Sequence, residues 1–342
     1  MNAPQKILII QTAFLGDVVL ATALLEKLYE TFPQAQLDFL LRKGNDSLLQ
    51  NHPYLNHLYI WDKKQGKFKD LYRLLREIRK EKYDLVINLQ RFGATGLLTA
   101  LSGGRQTVGF DKNPFSRFFS RAVPHSVSNG LHETERNQKL IEHLTGPEAA
   151  KPKLYPSQAD FEKVAVYKTQ PYICVAPSSI WFTKQYPEEK WVELLKTVPA
   201  DLKVYLLGAP SDKELCDRIL QTSGRMNAEN LCGKLSLLQS AALQQDAVLS
   251  YVNDSGPMHL ASSTNAPVAA VYCSTVPSFG FGPLSDFSRI VETEVDLPCR
   301  PCGLHGYMAC PQGHFKCALT IKNEQLLAVL EQALAEKANG KR

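Results

Sequence analysis

The chain has 342 residues, 44% of them hydrophobic and 21% charged, with a formal net charge of +5. That length suits about two domains of ordinary size, and the balance is that of a globular protein with a core in each half, which excludes a disordered or low-complexity chain. No uninterrupted apolar run approaches the roughly 20 residues that span a bilayer; eight cysteines are too few for a disulfide scaffold; and the modest positive charge leans toward anionic partners without calling for nucleic acid.

In chain order, the apolar run Ile7–Ile10 reads as a buried strand, followed by a turn with Gly16 and Asp17 and a helix near Val18–Tyr29. The run is broken by Gln11, Thr12 and Asp17, unlike a signal peptide, so the expected location is the cytoplasm. Strands follow at 36–41 and 57–62, then an amphipathic helix at 67–83 with apolar residues at 68, 71, 74, 75 and 78. This helix carries seven Lys or Arg, which read first as a solvated face and second as a membrane-surface contact. Further strands are expected at 84–89 and 107–110, and a helix at 135–145.

The segment 145–158, with three prolines and a glycine, reads as a linker. The alternation then restarts, with strands at 172–177, 203–208 and 267–273 and a helix at 189–198. Continuous apolar strands between helices imply parallel sheets covered on both faces, and two such units in tandem imply two Rossmann-like domains facing a central cleft. The expected division is residues 1–150, 151–325 and a C-terminal helix with a basic tail, 326–342.

Ligands in such sheets bind at the carboxyl ends of the strands. Asp17 stands there in the first unit, either capping its helix or facing the cleft as a general base. The G-x-G-x-x-G fingerprint of a dinucleotide loop is missing around it, which disfavours a nicotinamide-dependent oxidoreductase. In the second unit, an apolar strand ends in Asn253-Asp254-Ser255-Gly256, and Pro257 opens a helix bearing His259. The free N–H groups of that helix start suit a diphosphate, with Asp254 holding the loop and His259 within a turn. Lys184, after another strand, supplies countercharge or is an ordinary surface lysine; Asp212, after a third, accepts from ribose hydroxyls or caps its own helix. Cys299, Cys302, Cys310 and Cys317, with His305 and His314, contain one C-x2-C pair that could hold zinc. The second pair is spaced x6, a poor match to a zinc ribbon, so reduced thiols knitting a loop are the first expectation.

Taken together, "FLGDVVLATALL", "TKQYPEEKW", "NDSGPMHLAS" with "PVAAVYCST", and "LPCRPC…C…GHFKC", in that order, resemble the heptosyltransferases of lipopolysaccharide core synthesis, glycosyltransferase family 9. The cysteine-rich end is similar to that of the second heptosyltransferase of the inner core. The resemblance covers most of the chain and is loose between residues 95 and 150. It implies a GT-B fold, an inverting transferase and an ADP-heptose donor bound mainly by the C-terminal domain, with no cofactor required. It implies Asp17 as general base, Lys184, Ser255, Gly256 and His259 on the diphosphate, Asp254 shaping that loop, and Asp212 on the ribose. It also implies a lipid A–inner-core acceptor and peripheral contact with the cytoplasmic face of the inner membrane. Charge alone suggests Arg91, Arg105, Lys112, Arg117 and Arg121 for the acceptor's acidic groups. The alternatives are the same fold with another nucleotide-sugar donor, and a non-catalytic protein that holds a nucleotide sugar or glycolipid.

Overall fold

The computed structural model describes residues 3–64, 66–127 and 129–340. Lys341 and Arg342 of the expected basic tail lie outside the described residues. The chain divides between Tyr155 and Pro156 into two compact units.

The first unit is a six-stranded sheet of β1 (Lys6–Ile10), β2 (Gln36–Arg42), β3 (Leu55–Trp61), β4 (Leu85–Asn88), β5 (Gln106–Phe110) and β6 (Arg121–Val123), in the order β3-β2-β1-β4-β5-β6. Every pairing is parallel. Ile7, Leu8, Ile9 and Ile10 are all fully buried, because a parallel sheet is covered on both faces and neither parity of side chain meets water. Helices α1 (Leu15–Thr31), α2 (Lys67–Glu81), α3 (Gly93–Leu101), α4 (Glu133–Gln138) and α5 (Glu142–Thr145) accompany it.

Two elements depart from expectation. The single helix expected at 135–145 is broken into α4 and α5. Leu140 and Ile141, adjacent and both fully buried, turn into the core through short i→i−3 bonds to Asn137 and Gln138, and the Gln138 amide folds back onto Gly146 O at 2.7 Å. In α2, Leu71, Leu74 and Ile78 are buried, but Phe68 is 76% exposed. It lies about 60° around the helix from Leu71 and nearly a turn earlier, outside the stripe that meets the sheet.

The second unit repeats the plan with β7 (Tyr172–Ala176), β8 (Lys203–Leu206), β9 (Ala228–Asn230), β10 (Leu249–Asn253), β11 (Val268–Tyr272) and β12 (Ser288–Glu292), in the order β12-β11-β10-β7-β8-β9. Counted from its own first strand, this is the strand order of the first unit. Its helices are α6 (Gln158–Ala165), α7 (Glu188–Thr197), α8 (Lys213–Ser223), α9 (Leu237–Gln245), α10 (Gly256–Ser263), α11 (Lys316–Leu319) and α12 (Asn323–Ala338). One core gathers Trp191, Leu194 and Leu195 of α7 with Leu326 and Leu330 of α12; the other gathers Val164, Leu243, Met258 and Ala261 of α6, α9 and α10.

The C-terminal helix therefore belongs to the core of the second unit. The Tyr251 hydroxyl donates to Leu326 O at 2.8 Å, and the Tyr186 hydroxyl to Asn323 Oδ1 at 2.8 Å. No helix among the described residues is long and apolar enough to cross a membrane. Leu330→Ala is expected to destabilise the protein by about 2–5 kcal/mol, as for other fully buried leucines, measured by denaturant unfolding.

Candidate active site

Parallel strands send all their following loops to one edge, and the candidate residues are read along that edge in each unit. In the first unit, residues 11–14 join β1 to α1. Gln11 and Gln90, both buried, hydrogen-bond side chain to side chain, and Gln11 Oε1 also accepts the Ala13 N–H at 3.2 Å. Lys63 Nζ donates to Thr12 O at 2.8 Å and Asn45 Nδ2 to Ala13 O at 3.2 Å, so the loop is held from β2, β3 and β4. Asp17 lies in the first turn of α1, and its carboxylate accepts the Phe14 N–H at 3.2 Å. It caps the helix, as one of its two expected roles required.

Glu133 opens α4, and its carboxylate is held by Arg136, with Nε and Nη2 each 2.8 Å from Oε2. Burial pushes the Glu133 carboxyl pKa up, and Asp17 adds to this; Arg136 and Arg91 pull it back without cancelling the rise. His125, after β6, is driven down to about 4 by burial and by Arg91 and Arg136, so it is neutral at pH 7. Glu133, His125 and Arg136 were not singled out in the sequence; Glu133 and Arg136, three residues apart in a helix, were its only signal.

The acceptor arginines are not brought together. Arg91 follows the carboxyl end of β4 and acts on both Glu133 and His125. Arg105 precedes β5 at the opposite edge, 3.2 Å from Asp84, because β5 enters the sheet from its amino end. Arg121 opens the edge strand β6 and lowers the pKa of His143, behind burial as the main cause. The Arg117 guanidinium lies over the Phe118 ring, and Lys112 contributes to the depression of His125.

In the second unit, three loops converge. Asn253, fully buried at the end of β10, donates from Nδ2 to Pro177 O at 2.8 Å and accepts the Tyr186 N–H at 3.0 Å, stapling the loop after β7 to the loop after β10. Asp254 Oδ2 is 2.7 Å from Lys184 Nζ and accepts the Thr275 hydroxyl at 2.7 Å, joining the loop after β11 as well. The side chains of Lys184 and Asp254 are 14% and 9% exposed. Ser255 precedes α10, and no side chain caps that helix start; its hydroxyl turns to Asn253 O at 3.4 Å. Pro257 is the second residue of α10, and His259 is buried one turn in. Asp212 caps its own short helical turn, accepting the Ala209 N–H at 2.7 Å, and lies against Gly208, where a Cβ would come within 2.8 Å of its carboxylate.

Residues 71–305 match the description of glycosyltransferase family 9 (heptosyltransferase). The chain belongs to that family. It is 27% identical over 324 residues to lipopolysaccharide heptosyltransferase 1 of Pseudomonas aeruginosa, covering 87% of this chain and 86% of the relative. Among solved structures, a family 9 glycosyltransferase of Veillonella parvula superposes with a TM-score of 0.84 at 22% identity, covering 98% of this chain and 99% of that one. The ADP-heptose LPS heptosyltransferase II of Escherichia coli does so with 0.80 at 22% identity, covering 97% and 99%. The fold is thus GT-B, and the protein is a family 9 heptosyltransferase; relatives of types 1 and II both match, so these similarities leave the subtype open.

In this heptosyltransferase the cysteine-rich segment braces the convergent loops. Thr183 Oγ1 accepts the Ser274 hydroxyl at 3.0 Å and the Tyr307 N–H at 2.8 Å. Arg300 donates from Nε to Cys273 O and from Nη2 to Thr275 O, each at 2.8 Å, and Cys302 N–H to Ser274 O at 2.8 Å. Cys299, Cys302, Cys310 and Cys317 are free thiols, with Cys299 Sγ 3.8 Å from His314 Nε2. Burial acts to raise the Cys310 pKa, but the N–H groups of Phe315, Gln312, Gly313 and His314 outweigh it and the net shift is downward. Among the described residues, no group of three or more His, Cys, Asp or Glu is placed to hold a metal ion.

Gly306 has φ +76°, and a Cβ there would approach Thr183 Oγ1 to 2.8 Å and Lys184 Cγ to 3.1 Å. Gly313 has φ +68° and nothing within 4 Å. Gly313→Ala is expected to cost about 1 kcal/mol from backbone strain alone, and Gly306→Ala about 2–3 kcal/mol, compared by thermal melting. Equal losses would show that Gly306 is kept for its backbone and not for its approach to the lysine turn.

Proposed function

We propose that this enzyme transfers heptose, with inversion, from ADP-heptose to the lipid A–inner-core acceptor of lipopolysaccharide. The observation that carries the donor assignment is the convergence of Lys184, Asp254 and the uncapped start of α10 at the carboxyl edge of the second sheet. Helix-start N–H groups and their dipole favour a diphosphate there. An ammonium has three donors, so Lys184 can keep Asp254 and still donate to phosphate oxygens. Asp254 fixes that lysine and the loop, Ser255, Gly256 and His259 lie against the diphosphate, and Asp212 accepts from the ribose.

In the proposed reaction, the acceptor hydroxyl attacks the anomeric carbon of the heptose while Asp17 takes its proton. The bond from that carbon to the diphosphate breaks, and ADP leaves with the electron pair. The hydrogen bond from the Phe14 N–H at the helix start keeps the Asp17 carboxylate aimed. Lys184 and the α10 amides stabilise the charge that develops on the departing ADP, a preorganised electrostatic role that asks for no cofactor. Of the acceptor arginines, Arg91 is kept for the acceptor's acidic groups, since it alone lies with His125 and Glu133. The cysteine-rich end favours the type II acceptor, which already carries one heptose. The acceptor's lipid places the enzyme on the cytoplasmic face of the inner membrane.

Asp17→Asn is expected to fold and bind ADP normally and to lower turnover by at least about a hundredfold, the usual range for loss of a general base. The check is ADP release with ADP-heptose and an acceptor bearing one heptose; near-normal turnover removes Asp17 from the chemistry. Lys184→Gln is expected to weaken ADP binding by about tenfold or more, the worth of one charge-assisted hydrogen bond, measured by calorimetry. Unchanged affinity counts against the diphosphate assignment.

A further inference from the structure

Residues 67–83 carry seven Lys or Arg in the sequence, and five of them, Lys69, Arg73, Arg76, Arg79 and Lys80, lie on one side of helix α2. At about 100° per residue, Phe68, Tyr72, Arg79, Arg76, Lys69, Lys80 and Arg73 fall within one arc of roughly 140°. Every one of them is exposed, Phe68 by 76% and Tyr72 by 63%. No acidic residue falls in that arc: Asp70, Glu77 and Glu81 lie beyond its border, where Asp70 and Glu77 hold Arg73 at 2.7 and 2.9 Å. Lys69, Arg76 and Lys80 form no ion pair among the described residues. The opposite face, Leu71, Leu74 and Ile78, is buried against the sheet, so the helix cannot rotate to hide its aromatic rings.

A merely solvated basic face has no use for two aromatic side chains one turn apart. Phenyl and phenol rings beside lysine and arginine, without acids, match the boundary of an anionic bilayer, where rings enter the headgroup region and cations meet phosphates. The position is also suitable. The first turn of α2 follows the carboxyl end of β3, and Lys63 ties the connecting segment to Thr12, in the loop that leads to Asp17. A membrane held by Phe68 and Tyr72 would thus adjoin the edge of the first unit that carries the proposed base.

We infer that the exposed face of α2 is a docking surface for an anionic phospholipid bilayer, with Phe68 and Tyr72 as the inserting side chains and Lys69, Arg76 and Lys80 as the headgroup contacts. The inference rests on the proposed function only in choosing a membrane that carries the acceptor.

The test uses the full chain and sedimentation with vesicles of phosphatidylethanolamine and phosphatidylglycerol, or of phosphatidylcholine alone. The wild type is expected to pellet with the first and not the second. Lys69→Gln/Arg76→Gln/Lys80→Gln is expected to weaken binding about a hundredfold, from the contribution of each cation near a charged surface. Phe68→Ser/Tyr72→Ser is expected to weaken it at least about tenfold. Both variants should melt as the wild type does and keep its turnover on a water-soluble, deacylated acceptor. Failure to bind anionic vesicles, variants that bind like the wild type, or tighter binding to a single-stranded RNA than to the vesicles would each overturn the inference. Expected vesicle binding without turnover on any acceptor would leave the docking surface standing and remove the proposed reaction.

Discussion

A parallel strand cannot return by a hairpin; each crossover brings the chain back to the same end of the sheet, and the loops that follow the strands all emerge on the other. In this protein the constraint operates twice, with the same strand order in each unit. It explains why residues separated by some 90 positions, such as Lys184 and Thr275, can meet on one aspartate. It explains equally why Arg105 stands at the opposite edge from Arg91: it comes before its strand and not after it.

On this frame the two edges are stabilised differently. The first is held by neutral amides and one lysine, with Gln11, Asn45 and Lys63 fixing a short loop so that Asp17 points from a helix start. Around it, Glu133 and Arg136 form a buried pair whose charges are costly to desolvate and costly to separate. The second edge is held by an ion pair at its centre. Asp254 restrains Lys184, Asn253 staples the neighbouring loop, and Arg300 gathers the carbonyls after β11. The arrangement leaves the start of α10 uncapped by any side chain, as the proposed diphosphate site requires.

The cysteine-rich segment takes its place in this scheme through its backbone more than through its thiols. Tyr307 and Cys302 contribute main-chain bonds, and Gly306 contributes the absence of a side chain. Cysteine spacing raises the question of metal, whereas the contacts that bear on the site are those of the residues between the cysteines. Helix α2 shows the reverse case: its composition was visible, but a helix wheel with one aromatic assigned to the core could not show a ring turned outward.

The sequence by itself determined the class of fold, because continuous apolar strands alternating with helices have few solutions other than covered parallel sheets. It also marked the turns to which the proposed reaction is assigned, since Asp17 and the Asp254–Gly256 stretch stand where apolar strands stop and helices begin. These are local signals, set by burial and backbone geometry within a few residues. The tertiary structure alone decided what depends on distant partners. It broke the helix at 135–145, placed α12 in the second core, paired Lys184 with Asp254, and brought Glu133, His125 and Arg136 to the edge that bears Asp17. The physical reason is the same throughout. Strand ends are written in local hydrophobicity, whereas ion pairs and close approaches between loops are fixed only when the sheet sets the distance between them.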